Sequence, residues 1–123
     1  MDTFFQRFTH RSLMISNDGF HVIVRAVAQD EDIAGVVTIR LSARQARQLA
    51  EREMACFDDI TPAPKGPFVR LWHTPLPDGS SHIAMSYSQV PDEANAAWVG
   101  VLLAAEDYIA WRHSLLLSAN RVE

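Results

Sequence analysis

The chain has very little of several residue types that usually point to a function. It has one cysteine, Cys56, so no disulfide can form within the 123 residues, and we expect a reducing compartment such as the cytoplasm. No apolar run approaches the roughly 20 residues that a membrane-spanning helix needs. Residues 1–8 contain an early acid and no sustained apolar run, unlike a secretory signal. The sequence therefore predicts a soluble cytoplasmic protein.

Motifs that mark common catalytic and cofactor sites are also missing. No GxGxxG or GxxxxGK[ST] segment occurs, so a phosphate cradle for a nucleotide has no support. Cys56 is interpreted as a small buried apolar residue, because thiol activation favours a helix N-terminus or an adjacent cation. His73 and His82 flank a predicted turn, but a zinc site would need two further ligands at fixed geometry. We expect no enzymatic activity, no cofactor and no metal.

The overall composition is that of an ordinary globular protein. Hydrophobic residues make up 48% of the chain, enough for one core, and we expect a single α+β domain over residues 1–123. The formal net charge is -4 and the pI is about 5.7, which argues against a surface built for nucleic acid. No internal repeat is visible.

Residues 9–41 have the alternation of a three-strand antiparallel meander. Asn17, Asp18 and Gly19 tolerate the positive φ that a tight hairpin needs. Apolar residues at every second position predict the strands on either side of this turn and a third strand after it. These positions are Leu13 and Ile15, then Phe20, Val22, Val24, Ala26 and Ala28, and then Gly35, Val37, Ile39 and Leu41.

The next predicted element is a helix with a clear start. Ser42 is a favourable N-cap, and Gln45 three residues later completes a capping box. The inward stripe of this helix is formed by Ala46, Leu49, Ala50 and Met54, with Phe57 one turn further on.

Two more strands follow a loop that ends at Pro67. Phe68 to His73 places Phe68, Arg70 and Trp72 on one side of a fourth strand. A turn at residues 77–79 then leads to a fifth strand, in which Ile83, Met85 and Tyr87 alternate.

The last third of the chain, Pro91 to Asn120, is predicted as one long helix. Pro91 suits the first helical turn, and a broad apolar stripe would seat the helix on the core. An alternative is a strand over Trp98 to Leu103, which would leave a shorter helix from Ala104.

Apolar residues lie on more than one side of this long helix. A helix that is apolar nearly all round must be buried nearly all round, so we expect a homodimer. Small residues at every fourth position would let another backbone approach closely. The predicted dimer interface comprises Ala96, Val99, Gly100, Leu103, Ala104 and Trp111.

Four arginines form the best polar candidate for a partner-binding site. They fall within thirteen residues that span a strand end and a helix face, although Glu53 and Asp58 dilute the charge. Arginine is enriched in protein interfaces, and aromatic residues are not interleaved with this patch, as binding of single-stranded nucleic acid would require. The predicted patch comprises Arg40, Arg44, Arg47 and Arg52.

These features predict an α+β fold, with an antiparallel sheet of about five strands and a long C-terminal helix packed on it. The predicted order, β-β-β-α-β-β-α, resembles that of class I type III secretion chaperones, which are small acidic dimers of mixed α/β build. The resemblance covers the order of elements and no residue motif.

The leading hypothesis is a non-enzymatic, protein-binding module of bacterial or phage type, either an inhibitor, an immunity-type protein or a chaperone-like protein. Its expected partner is another protein, for which the arginines favour an acidic surface. The alternative is a small-ligand enzyme or sensor whose pocket lies between the sheet and the C-terminal helix, with His73, His82 or Cys56 inside.

Overall fold

Antiparallel strands and two helices build the described part of the chain, which the computed structural model gives as residues 4–8, 11–29, 34–60, 68–88 and 97–122. The first four strands form sheet 1 and the last four form sheet 2, and in each sheet the strand order follows the chain. The elements are β1 (Phe4–Phe8), β2 (Arg11–Asn17), β3 (Val22–Gln29), β4 (Ala34–Leu41), α1 (Ala43–Leu49), β5 (Ala55–Asp58), β6 (Phe68–Pro75), β7 (Ser81–Ser88), β8 (Ala97–Leu103) and α2 (Ala105–Asn120).

This order of elements repeats a unit of four strands and one helix. The prediction of no internal repeat is therefore wrong at the level of topology, although it described the residue sequence. Different apolar residues can produce the same period-two alternation, so a shared topology leaves no shared motif. The element order that resembled the secretion chaperones is corrected by the same observation.

The three predicted strands of the meander are confirmed as β2, β3 and β4. Leu13 pairs with Ala26, and Ala26 pairs with Val37, so one row of buried side chains runs across the sheet. At the β2–β3 turn Gly19 has φ 86°, a conformation that glycine adopts without strain. Residues 4–8 add a fourth strand that the sequence did not predict.

Helix α1 begins as predicted. The Ser42 hydroxyl accepts a hydrogen bond from the Gln45 backbone at 3.1 Å, and the Gln45 side chain accepts one from the Ser42 backbone at 3.0 Å. The capping box is therefore complete.

The same helix ends earlier than predicted. The Ala50 carbonyl accepts hydrogen bonds from the Tyr108 hydroxyl at 3.1 Å and from Nε of Arg112 at 2.9 Å. Side chains of α2 thus satisfy an acceptor that the end of α1 leaves open. Met54, predicted to face inward, is 77% exposed, and Phe57 is buried from strand β5.

The prediction of one long C-terminal helix is wrong over its first part. The alternative, a strand followed by a shorter helix, is confirmed. Residues 97–103 form β8, where Val99, Val101 and Leu103 are buried at every second position. The apolar residues that predicted a helix apolar on nearly all sides are divided between β8 and α2. The predicted helix start at Pro91 lies outside the described residues.

The fold class is confirmed as α+β, with antiparallel sheets and a C-terminal helix, but there are two sheets where one was predicted. One hydrophobic cluster joins the inner faces of both sheets to both helices. Helix α2 contacts β1, β2, β3 and β8, while α1 contacts β4, β5 and α2. Neither described helix is long and apolar enough to cross a membrane. The outer faces of the sheets are left without a helix packed on them in the described residues.

Candidate functional site

The outer face of sheet 2 is built by the alternation of its strands. On β6, Val69, Leu71 and His73 are buried in the core, so the β6 side chains between them lie on the other side of the sheet. Strand register carries the same division to β5, β7 and β8. We call these described residues the outer face of sheet 2: Cys56, Asp58, Phe68, Arg70, Trp72, Thr74, His82, Ala84, Ser86, Gly100 and Leu102.

An arginine and a tryptophan stack on this outer face. The Arg70 guanidinium carbon lies 5.7 Å from the centre of the Trp72 ring, a cation–π distance. Nε of Arg70 also donates a hydrogen bond to Oδ1 of Asp58 at 2.6 Å. The Arg70 side chain nevertheless stays 41% exposed. The stack therefore presents both a ring face and a guanidinium on one surface.

The residues at the centre of the outer face of sheet 2 are small. Trp72 pairs with Ala84, and Ala84 pairs with Gly100, so Ala84 lies directly beside the tryptophan. A Cβ at Gly100 would stand 2.9 Å from Nε2 of His82. The His82 imidazole therefore lies close against the β8 backbone, and only a glycine leaves room for it there.

Charge is distributed unevenly between the strands and the rest of the chain. Within the eight described strands, Asp58 is the one acidic residue, whereas five residues are arginines. The net charge of -4 therefore arises outside the strands. The five strand arginines are Arg7, Arg11, Arg25, Arg40 and Arg70.

The outer face of sheet 1 is also basic and partly apolar. Arg25 donates from Nε to the Thr38 hydroxyl at 3.2 Å, its register partner on β4. Arg40 is exposed opposite Ile23, and Val36 is 56% exposed. This surface carries guanidinium groups beside aliphatic side chains, but none of its described side chains is aromatic.

The four arginines of the predicted partner-binding patch lie on β4, on α1 and just after α1, and their role in binding a partner stays a prediction. Arg40 lies at the end of β4, while Arg44 and Arg47 are exposed on α1. Nη2 of Arg47 donates to Oδ1 of Asn120 at 3.4 Å, which ties α1 to the end of α2.

Arg52 binds the chain's own turn at residues 76–80. Its Nη1 donates to the carbonyls of Gly79 at 3.0 Å and Ser80 at 3.2 Å, and its Nη2 donates to the carbonyl of Leu76. Its guanidinium carbon also lies 5.6 Å from the Tyr108 ring centre. Arg52 therefore holds the β6–β7 turn, and its donors are used within the molecule.

The residues of the predicted dimer interface are also redistributed. Val99, Leu103 and Trp111 are buried in the core of the single chain. Gly100 lies on the outer face of sheet 2, Ala104 is exposed before α2, and Ala96 lies outside the described residues. The helical row from which the interface was inferred does not exist, because most of its members belong to a strand. Self-association itself stays a prediction.

The histidines and the cysteine do not converge. His73 is fully buried, where its Nε2 lies 2.9 Å from Oγ of Ser81, while His82 is exposed on the opposite side of the sheet. Burial, and then the nearby Arg52 charge, lowers the pKa of His73. Cys56 is exposed on the outer face, so its interpretation as a buried apolar residue is wrong. The pocket required by the enzyme alternative is not formed from these three side chains.

The signal for the outer face was present in the sequence. Phe68, Arg70 and Trp72 alternate along one strand, which places aromatic rings and a guanidinium on one side. The arginines near α1 and the net charge of the whole chain favoured a different site and a different partner.

Known proteins resemble this chain in structure. No protein-family model matches it, and no curated protein matches it in sequence. The crystal structure of WHY1 from Arabidopsis thaliana is similar with a TM-score of 0.73 at 12% identity, over 98% of this chain and 84% of that chain. The crystal structures of MRP1/MRP2 from Trypanosoma brucei are similar with a TM-score of 0.63 at 11% identity, over 94% of this chain and 82% of that chain. At these identities the likeness concerns the fold.

The comparisons correct two predictions about function. The prediction of a protein-binding inhibitor, immunity-type or chaperone-like module is wrong against these structural neighbours. The prediction against nucleic acid as a partner is wrong on the same comparison. The prediction of a non-enzymatic protein is consistent with these structural neighbours.

Proposed function

We propose that this protein binds single-stranded nucleic acid on the outer face of sheet 2. Bases stack on Trp72, and Arg70 contacts the backbone phosphates or a base plane. The single observation that carries the proposal is the Arg70–Trp72 stack, in which the guanidinium carbon lies 5.7 Å from the ring centre and both residues are half-buried on the outer face of sheet 2. Likeness in fold to nucleic-acid-binding proteins supports it.

A single strand fits this surface better than a duplex. An unstacked base offers its ring face to an aromatic side chain, and this contact tolerates any sequence because every base has such a face. Trp72 is half-buried, and its register neighbour Ala84 has a small side chain. A duplex keeps its ring faces inside and would require an element that enters a groove.

The acidic net charge of the whole chain does not exclude a polyanion on this face. Phosphate binding depends on guanidinium groups near the path of the nucleic acid, and Arg70 supplies one on sheet 2, while the other four strand arginines lie on sheet 1. The ion pair between Asp58 and Arg70 is exposed on its acidic side, with Asp58 70% exposed. Such a pair contributes little to stability, so Arg70 can exchange the carboxylate for a phosphate at small cost.

The test is a titration of a fluorescein-labelled oligothymidylate, followed by fluorescence anisotropy. We expect Trp72→Ala to weaken binding by about 5- to 150-fold, the range for the loss of one stacked base. Arg70→Ala should also weaken binding and reduce the salt dependence by about one phosphate contact.

The matched control is Arg44→Ala, which removes one positive charge from exposed α1. Its affinity should stay close to that of the wild type. If Arg44→Ala and Arg70→Ala weaken binding equally while Trp72→Ala has no effect, binding follows overall charge and the proposed site is wrong.

A further inference from the structure

One large aromatic side chain is presented away from the core. Phe20 lies at the tip of the β2–β3 hairpin and is 69% exposed. Exposing a phenyl ring forgoes the burial that stabilises most aromatic residues. The ring is therefore accessible to a ligand.

The turn that carries Phe20 is held rigidly. Oδ1 of Asp18 accepts hydrogen bonds from the backbone of Phe20 at 2.9 Å and of His21 at 2.7 Å. Oδ1 of Asn17 accepts one from the backbone of Gly19 at 3.3 Å. The two hydrogen bonds to the Asp18 carboxylate lower its pKa. All three bonds fix the backbone around the Phe20 ring. A fixed ring loses little conformational entropy when it stacks on a ligand.

A chain of contacts connects this hairpin to the outer face of sheet 2. Ile23, three residues after Phe20, pairs with Arg40 on β4. The Arg40 carbonyl accepts a hydrogen bond from the Ile60 backbone at 2.9 Å, which joins the edges of the two sheets. Ile60 is 41% exposed and follows Asp58, the partner of Arg70. Exposed Arg40 is thus linked through its carbonyl to Ile60 and through strand register to Ile23, three residues from Phe20.

From this arrangement we infer that Phe20 is a second base-stacking residue for the same nucleic-acid strand. The strand leaves Trp72, passes the junction at Ile60 and Arg40, and places a further base on the Phe20 ring. The guanidinium of Arg40 faces a phosphate between the two stacking positions. This inference rests on the proposed function, and it predicts that Phe20 acts only when the strand is long enough to reach it.

The test compares Phe20→Ala with Trp72→Ala on a ladder of oligothymidylates of increasing length. Phe20→Ala should leave the shortest bound oligomers unaffected and weaken the longer ones by about 5- to 150-fold, whereas Trp72→Ala should weaken every length. Phe20→Trp keeps an aromatic ring and should bind the longer oligomers with about the affinity of the wild type. Ile109→Ala is the matched control, since Ile109 is 67% exposed on α2 and should change neither. Photo-crosslinking of iodouracil-substituted oligomers should identify Phe20 by mass spectrometry.

Three outcomes would overturn the inference in different ways. If Phe20→Ala binds every length like the wild type while Trp72→Ala is weakened, Phe20 makes no contact and the proposed function stands. If light scattering shows that Phe20→Ala changes the molar mass without changing binding, the ring is a contact between protein chains. If the wild type binds no oligomer of any length, the proposed function fails and this inference fails with it.

Discussion

Oγ of Ser81 lies 2.9 Å from Nε2 of His73 on the core side of the β6–β7 strand pair, opposite the face that carries Trp72. The same two strands thus hold a buried polar contact on one side and the candidate binding surface on the other. His73 is flanked by the rings of Tyr108 and Trp111, with centres 5.4 Å and 6.4 Å away. The neutral imidazole fits this environment, and a charged one does not.

We predict that acid destabilises the protein through His73. Its pKa is lowered in the folded state by burial and by Arg52, so only the unfolded chain takes up this proton near the ordinary value of 6.5. The contribution is fully present above that pH and is lost as the pH falls below it. Urea denaturation at a series of pH values between neutral and mildly acidic should show the decrease.

Two variants test whether His73 causes this pH dependence of stability. His73→Gln should flatten it, because the amide has no proton to gain in this range. His82→Gln, which changes an exposed imidazole on the other face, should leave it as in the wild type. Equal pH dependence in the wild type and His73→Gln would show that another group is responsible.

Trp111 is predicted to stabilise the single chain from within its core. Its side chain is fully buried, so Trp111→Ala should lower the free energy of unfolding by about 3–5 kcal/mol. The exposed Ile109, two residues earlier on α2, provides the comparison, and Ile109→Ala should stay within about 0.5 kcal/mol of the wild type. A Trp111→Ala variant that dissociates a dimer but unfolds like the wild type would assign this residue to an interface instead.

Ser42→Ala should destabilise α1 by removing half of the capping box. The hydroxyl accepts the Gln45 backbone N–H, and loss of such a cap costs about 0.5–2 kcal/mol. Ser42→Asp keeps an acceptor and should recover most of this loss in thermal unfolding. If both variants unfold alike, the hydroxyl bond contributes nothing measurable.

Asp58→Asn is predicted to strengthen nucleic-acid binding. The substitution removes the carboxylate that occupies Nε of Arg70 and removes a negative charge beside the proposed strand path. Affinity for an oligothymidylate should rise several-fold at low salt, with a smaller gain at high salt. Glu51→Gln removes the same charge near the end of α1 and should have little effect. Unchanged or weaker binding by Asp58→Asn would contradict the proposed position of the strand.

Local patterns in the sequence predicted the elements that depend on local physics. The capping box at Ser42 and Gln45 and the turn at Gly19 each need only neighbouring residues, and both are present. Strands β2, β3 and β4 follow from strict alternation in the same way. The end of α1 could not be predicted, because the Ala50 carbonyl is satisfied by side chains far along the chain.

The candidate site was missed for a different reason. The residues 97–103 are apolar and short, so their period did not distinguish a buried strand from a helix. The dimer hypothesis depended on a helix at these residues. With that helix, the predicted sheet lacked β8, a strand of the same sheet as Trp72. The charge of the whole chain then weighed against nucleic acid, although the acids lie almost entirely outside the strands. An average over the chain cannot show where a charge lies.

The most direct test of the central claim is an NMR titration of the protein with a single-stranded oligothymidylate. Three tryptophan indole N–H signals are expected, from Trp72, Trp98 and Trp111. If the strand stacks on the outer face of sheet 2, the Trp72 indole and the β6 and β7 amides shift strongly, while the buried Trp111 indole stays in place. Shifts confined to the exposed arginines of α1, with the Trp72 indole unmoved, would contradict the account.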